Sequence, residues 1–415
     1  MQEGHHYSRD RPRDHGTSSL NPAEVAPRDR KGKVKELSES RVLVVDDAEA
    51  NVDVLVQALR GEYRLSVALD GESALRAIEK NPPDLVLLDI VMPGLDGYAV
   101  CQRIRWNEAW RDIPVMFLSS LEDAQDKARG FEAGGNDYVT KPFEPLEVQA
   151  RVRSLLRSKA YSDAVREAHA RDLRIARDIQ MGILPTDLSS RTRGTGLDVA
   201  AVLEPARQVG GDLYEVLRVA DDRVIVALGD VSGKGIPAAL FMAVTVTLLR
   251  TMARQHSDPG ELLSHLSDEL AEQNPSGMFV TLQCAAFDLR NGRVTVAGAG
   301  HHDAVVLSSR HGPRRAFPSA GRVAALLPGN PITSDSMDLS PGDTLLFFSD
   351  GVTEAFNEAE EEFGDERLLA HLADRPGASA AETVQSVLAA VRAHAGHAKQ
   401  SDDISIVASR WEGPR

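Results

Sequence analysis

The sequence predicts two folded units joined by a long helix. The first is α/β, with a parallel sheet covered on both faces; the second is α+β, with mainly antiparallel sheets. Three observations carry this. Near the N-terminus, apolar runs of strand length, unbroken by polar residues, alternate with stretches of helical spacing. Residues 144–184 then hold no Gly before Gly182 and no Pro between Pro145 and Pro185. Beyond them, strand-like runs cluster instead of alternating with helices.

Residues 1–39 are polar, charged and broken by Pro, which reads as a disordered tail. The first unit spans 40–143. "RVLVVDD" is a buried strand ending in two acids, and "NVDVLVQALRGE" is a helix that stops at a Gly. "DLVLLDI" is a second strand ending in an acid, followed by the turn "MPGLDG". "IPVMFLSS" and "DYVTKPF" carry two more strands.

The linker, 144–184, is rich in Arg, Ala and Glu. A seven-residue seam runs through Leu155, Ser162, His169, Ala176 and Ile183, interleaved with Ser158, Val165, Asp172 and Ile179. Polar residues weaken the middle of that seam, so a connector on a domain surface and a coiled-coil dimer stalk both stay open. In the last unit, 185–415, strand-like runs lie at 197–203, 224–229, 279–288, 293–298, 304–307 and 343–348. Helical runs lie at 236–255, 259–272 and 381–395.

The chain of 415 residues is 42% hydrophobic and 26% charged, as soluble globular proteins are. A net charge of −15 argues against a broad nucleic-acid surface and suits binding of divalent cations. Cys101 and Cys284 are far apart and form no disulfide framework or zinc motif. No apolar run is long enough to span a membrane and no secretory signal is present. A cytoplasmic location is expected.

"GDVSGKG", residues 229–235, invites comparison with a phosphate-binding loop. Only three residues separate Gly229 from Gly233, where that motif needs four, and Gly235 follows Lys234 where a hydroxyl is required. Nucleotide binding is therefore set aside, and the carboxylate of Asp230 becomes the feature to explain.

In the first unit, Asp46, Asp47 and Asp89 stand at the carboxyl ends of two strands, where open parallel sheets gather ligands. Ser119 ends the next strand and Lys141 follows the last. Three carboxylates in one pocket need a cation, and magnesium accepts that oxygen set. Asp89 could then attack a phosphoryl donor, with Lys141 and Ser119 holding the phosphate. These residues, "DIVMPGLDG", "VTKPF" and the 30- and 52-residue spacings from Asp89 to Ser119 and Lys141 resemble the receiver domain of two-component response regulators, over 41–158. The resemblance implies a doubly wound sheet of five parallel strands and Asp89 as phospho-acceptor. It also implies Asp46, Asp47 and the Val91 carbonyl as Mg2+ ligands, and Ser119 and Tyr138 as switch residues.

In the last unit the acids again sit by strand ends or turns: Asp212 in "RQVGGDLYE", Asp230, Asp350 in "LLFFSDGVTEA", and Asp402 and Asp403 in "QSDDISIV". Small neighbours leave room for ions. Two hard cations sharing a carboxylate can activate water for attack on phosphorus, with no protein nucleophile. The blocks "IQMGILP", "EPARQVGGDLYE", "GDVSGKGIPAAL", "GAGHH" and "FFSDGVTEA…DDISI" resemble metal-dependent protein phosphatases of type 2C, over 176–410. The closest branch is the bacterial one that regulates sigma factors by partner switching.

That resemblance implies an antiparallel β-sandwich flanked by helices and two Mn2+ or Mg2+ ions. Asp230 would bridge them, helped by the Val231 carbonyl. Asp350 and either Asp402 or Asp403 would hold one ion, and Asp212 would reach the other through water. Arg207 would hold the substrate phosphate. Gln208 and Glu215 depart from the usual acids at their positions, and His301 reads as structural.

The joint expectation is a receiver-controlled serine/threonine phosphatase. Its implied partners are a histidine kinase or phosphotransfer protein, a phosphorylated anti-sigma-factor antagonist as substrate, and a second copy in a homodimer. The alternative is a catalytically silent scaffold that binds a signalling partner when Asp89 is phosphorylated.

Overall fold

The computed structural model describes residues 37–120, 124–272, 274–308, 310–318, 322–329, 331–375 and 377–414. The expected N-terminal tail lies outside them as far as residue 36; Leu37–Glu39 form one 3-10 turn. The chain divides into two compact units, 1–170 and 171–415.

The first unit runs β1 (Arg41–Val45), α1 (Glu49–Leu59), β2 (Arg64–Ala68), α2 (Gly71–Lys80), β3 (Leu85–Asp89), α3 (Gly97–Trp106), β4 (Val115–Ser119), α4 (Ala124–Glu132) and β5 (Asp137–Thr140). The strands form one parallel sheet in the order β2-β1-β3-β4-β5. Every residue of β3 and β4 is buried, because helices cover both faces. One core gathers Val45, Leu88, Ile104 and Phe117 on one face; the other gathers Val44, Leu55, Leu87 and Val152. β2, at the edge, is largely exposed, and its mixed sequence escaped the sequence reading. Asp70 and Asp96 cap α2 and α3 through Ser73 N (2.7 Å) and Ala99 N (2.8 Å).

A single helix, α5, runs Pro145–Ile183 and joins the two units. Its ends are spent on cores: Leu155 packs into the first unit and Ile183 into the second. Its exposed large apolar side chains are Leu146, in the first turn, and Tyr161, Val165, Ile175 and Ile179 farther along. The exposed stripe thus keeps Val165 and Ile179 of the expected seam but replaces Leu155 and Ile183 with Tyr161 and Ile175. Burial at the helix ends caused that difference.

The second unit continues with α6 (Leu188–Thr192), β6 (Leu197–Glu204), β7 (Leu213–Ala220), β8 (Arg223–Val231), α7 (Ile236–Met252), α8 (Pro259–Glu272), β9 (Val280–Asp288) and β10 (Arg293–Ala299). It ends with β11 (Ala304–Ser308), β12 (Gly312–Ala316), β13 (Ser334–Asp338), β14 (Thr344–Phe348), α9 (Asp350–Thr353), α10 (Gly364–Ala373), α11 (Ala380–Ala395) and β15 (Ile404–Trp411). Two five-stranded antiparallel sheets result, β13-β10-β9-β8-β7 and β12-β11-β14-β15-β6. The core between them draws Val226 and Phe287 from one sheet and Phe347 and Trp411 from the other. α7 and α8 pack on the first sheet, and α11 packs on the second.

Helices on one face and the partner sheet on the other explain why Val224–Leu228 of β8 and Leu345–Phe348 of β14 are apolar at every position although their sheets are antiparallel. The sequence reading omitted β7, β12, β13, β15, α6, α9 and α10. β12 and β13 are short, polar edges, and α6 and α9 are about one turn long.

Candidate functional sites

In the first unit the strand order reverses between β1 and β3, which opens a crevice at their carboxyl ends. Asp46 and Asp47 follow β1, and Asp89 closes β3. One oxygen from each lies within 4.8 Å of the other two; among the described residues no other group of three such ligands does so. Asp46 and Asp89 are buried. Lys141 Nζ reaches both, at 2.7 Å from Asp46 Oδ2 and 2.8 Å from Asp89 Oδ2. Asp46 also accepts from Ala48 N (3.0 Å) and Asn51 Nδ2 (2.9 Å).

Burial pushes the Asp89 carboxyl above its ordinary value, while Lys141 pulls it back. For Lys141 burial acts downward, but the two carboxylates together outweigh it and its pKa is raised. Ser119 is fully buried, and its carbonyl accepts from Lys141 N at 2.7 Å. The Val91 N–H faces the Asp89 carboxylate. Tyr138 is half-buried on β5. Sequence reasoning missed Asn51; its place five residues after Asp46, on the first turn of α1, was the available signal.

In the second unit the acids come from four separate places. Asp212 precedes β7, Asp230 lies near the end of β8, Asp350 opens α9, and Asp402 and Asp403 precede β15. Their charges act on one another. Burial, then Asp230 and Asp403, raise the Asp212 carboxyl well above its ordinary range. Burial, then Asp350, lift Asp230 to about 7. Burial, then Asp402, raise Asp350. Burial raises Asp403 although backbone N–H groups oppose it.

Two local features fit an ion here. Asp212 is buried and its Oδ2 has no hydrogen-bond partner. A Cβ on Gly211 would lie 2.5 Å from the Val231 carbonyl oxygen and 3.0 Å from Asp230 Oδ1, so only glycine leaves those oxygens accessible. An all-oxygen, net-negative donor set is the chemistry of Mg2+ or Mn2+.

Asp402 and Asp403 divide their work. Asp403 Oδ1 accepts from Ala206 N (2.8 Å) and Oδ2 from Gly211 N (3.0 Å), which staples the 205–211 loop to the head of β15. Asp402 faces away, half-exposed, with Lys234 Nζ 2.8 Å from its Oδ2. Lys234 is the lysine of the loop that mimics a phosphate cradle; here it is a cation beside an acid.

The same 205–211 loop is bonded to α5. Gln180 Nε2 donates to Gly210 O (2.7 Å), and Gly210 N donates to Gln180 Oε1 (3.2 Å), both buried. The quoted block "IQMGILP" contained this Gln, yet nothing in its sequence named the partner. Arg207, on that loop, is exposed and makes no hydrogen bond or ion pair with the described residues. Gln208 is exposed as well.

Glu215 belongs to a different structure. It is buried between Arg191 of α6 and Arg250 of α7, and Arg250 also donates to the Ile183 carbonyl at the end of α5. His301 ties two strands together. Its Nε2 donates to Phe348 O (3.1 Å), so the neutral ring presents Nδ1 as an acceptor to the Thr281 hydroxyl (2.8 Å). Burial, then the neighbouring His302, depress its pKa to about 3, so the ring stays neutral. Asp230, Thr281, Gly300, His301, His302 and Asp350 line a cavity of about 190 Å³.

Residues 42–153 match the response regulator receiver domain family, and residues 220–412 match the family of stage II sporulation protein E (SpoIIE). The response regulator PleD of Caulobacter vibrioides is 39% identical over 170 residues, covering 41% of this chain and 36% of its own length. The alkaline phosphatase synthesis transcriptional regulatory protein PhoP of Bacillus subtilis is 43% identical over 118 residues, covering 28% of this chain and 48% of its own. The chain thus spans no more than half the length of these curated relatives. Among solved structures, the SiaA-PP2C domain of Pseudomonas aeruginosa superposes with a TM-score of 0.54 at 22% identity. That likeness covers 60% of this chain and 98% of that one, and it concerns the fold.

Proposed function

We propose that this chain, a response regulator receiver domain followed by a SpoIIE-family domain of PP2C fold, is a metal-dependent protein serine/threonine phosphatase controlled by phosphorylation of Asp89. The observation that carries the reading is the partnerless, buried Asp212 Oδ2 beside Asp230, in a set of five acids of which, among the described residues, only Asp402 has an ion pair, with Lys234. Such a set is costly to desolvate unless ions neutralise it.

Asp230, the Val231 carbonyl, Asp350 and Asp402 would hold a divalent pair, with Asp212 acting through water. When bound, the pair would supply charge stabilisation and an activated water. The protein's own residues do the rest. Asp403 fixes the loop that presents Gly211 and Asp212. His301 ties the start of β9 in one sheet to the end of β14 in the other. Arg207, exposed and unpaired among the described residues, would take the substrate phosphate.

In the receiver, Asp46, Asp47 and the Val91 carbonyl would hold Mg2+, Asp89 would accept the phosphoryl group, and Lys141 would transfer its ion pair to it. Ser119 and Tyr138 would register the change. A histidine kinase or phosphotransfer protein would be the donor. The substrate would be a phosphoserine protein, and the resemblance of the sequence blocks to the partner-switching branch implies an anti-sigma-factor antagonist. A second copy would pair through the Tyr161, Val165, Ile175 and Ile179 stripe of α5. Among the described residues no helix is long and apolar enough to cross a membrane, which accords with cytoplasmic action.

The test is hydrolysis of an aryl phosphate and a phosphoserine protein by wild type and Asp230→Asn, with and without Mn2+. Mn2+-dependent release by wild type alone supports the reading. Equal partner binding by both, with no release by either, supports the scaffold alternative.

A further inference from the structure

A second cavity, of about 170 Å³, adjoins the acidic site. Its floor is Ala355, Val391 and Ile404, all buried, and its wall is Phe356, Ala395 and Ala398. It shares backbone with the acids: Gly351 follows Asp350, and Ser401 precedes Asp402. Gln400 lines the cavity, its Nε2 donating to Asp402 O (2.8 Å) and Glu204 O (2.9 Å). At the rim Arg392 is paired with Glu204, whereas Lys399 is exposed and has no partner among the described residues.

We infer that this cavity is a subsite for the protein substrate. It would seat one apolar side chain within three residues of the phosphoserine, with an acidic neighbour meeting Lys399. The inference rests on the phosphatase reading and adds a sequence preference to it. Size supports the occupant, since an apolar cavity of roughly 150 Å³ accepts a benzene-sized group. Continuity supports the distance, because the cavity and the candidate ligands share adjacent residues on both sides. Charge supports the neighbour: in a chain of net charge −15, Lys399, without a partner among the described residues beside an apolar wall, attracts an acid.

The experiment uses fluorescent phosphoserine peptides on a Gly-rich frame, with one Leu moved through three positions on either side. Binding is read by anisotropy and turnover by phosphate release, with an aryl phosphate as a substrate that has no flanking residue. Seating a Leu in such a cavity is worth about tenfold or more in affinity. At one or two positions, Leu should therefore lower Kd and KM about tenfold against the all-Gly peptide. Ala398→Phe, which fills the wall, should remove that preference and lower the ratio of Leu-peptide to aryl-phosphate turnover about tenfold. Lys399→Glu should weaken binding of a Leu-Asp peptide more than of a Leu-Gly peptide.

No Leu preference at any position, or a preference that survives Ala398→Phe, overturns the subsite. Absence of aryl-phosphate hydrolysis with Mn2+ would instead overturn the phosphatase reading, and the anisotropy comparison would still decide the subsite.

Discussion

The acids of the second unit should destabilise the metal-free protein at neutral pH, and Asp230→Asn should relieve much of that strain. Asp230 titrates at about 7 in the folded unit and at 3.8 as an ordinary side chain. Its folded value is raised, so its contribution to stability is complete below pH 3.8 and is lost as pH rises through about 7. That window covers about three pH units for one proton, and each unit is worth about 1.4 kcal/mol, so the loss approaches about 4 kcal/mol by pH 8. Asp212, Asp350 and Asp403 are shifted the same way and share part of that penalty through their mutual repulsion.

The assay is urea unfolding in chelator at pH 5, 6, 7 and 8. Trp411, buried in this unit, is the reporter, with Trp106 and Trp110 replaced by Phe. Wild type should lose stability from pH 5 to 8. Asp230→Asn should flatten that slope and be the more stable protein at pH 8, by about 2–4 kcal/mol. Mn2+ should then stabilise wild type and leave Asp230→Asn nearly unmoved. If Asp230→Asn is the less stable protein at pH 8 in chelator, the reasoning is wrong.

Other outcomes follow from the same geometry. Glu215→Gln leaves Arg191 and Arg250 short of their buried counter-charge and should cost about 3–5 kcal/mol in the Trp411 urea transition. Gly210→Ala sets a Cβ against the Asp403 carboxylate, so Mn2+ should no longer raise the thermal midpoint of the second unit. His301 has a depressed pKa, so its contribution is complete above pH 6.5 and is lost as pH falls toward about 3. His301→Asn should therefore reduce the acid-induced loss of stability between pH 6 and 4, read in the same urea series. Gln180→Ala frees Gly210 from α5 and should lower phosphate release more than it lowers the thermal midpoint. Asp89→Asn should abolish labelling by acetyl phosphate, read as a lost band shift on phosphate-affinity gels.

The sequence by itself determined the order and class of the units, because those depend on local pattern. Unbroken apolar runs such as "DLVLLDI" require cover on both faces, and a stretch without Gly or Pro from 146 to 181 makes one helix. It also named the acids, since several carboxylates recurring at strand ends and turns beside small residues or one another are more than turn chemistry alone requires. Tertiary structure alone decided which of them share a space and which do something else. Asp402 and Asp403 are neighbours in sequence, but one turns toward Lys234 while the other is consumed by the N–H groups of Ala206 and Gly211, about 190 residues away. Glu215, three residues from Asp212, points instead at two arginines from different helices. The physical reason is range: periodicity and turn chemistry act over a few residues, whereas a buried carboxylate is placed by whichever distant donors the packed core brings to it.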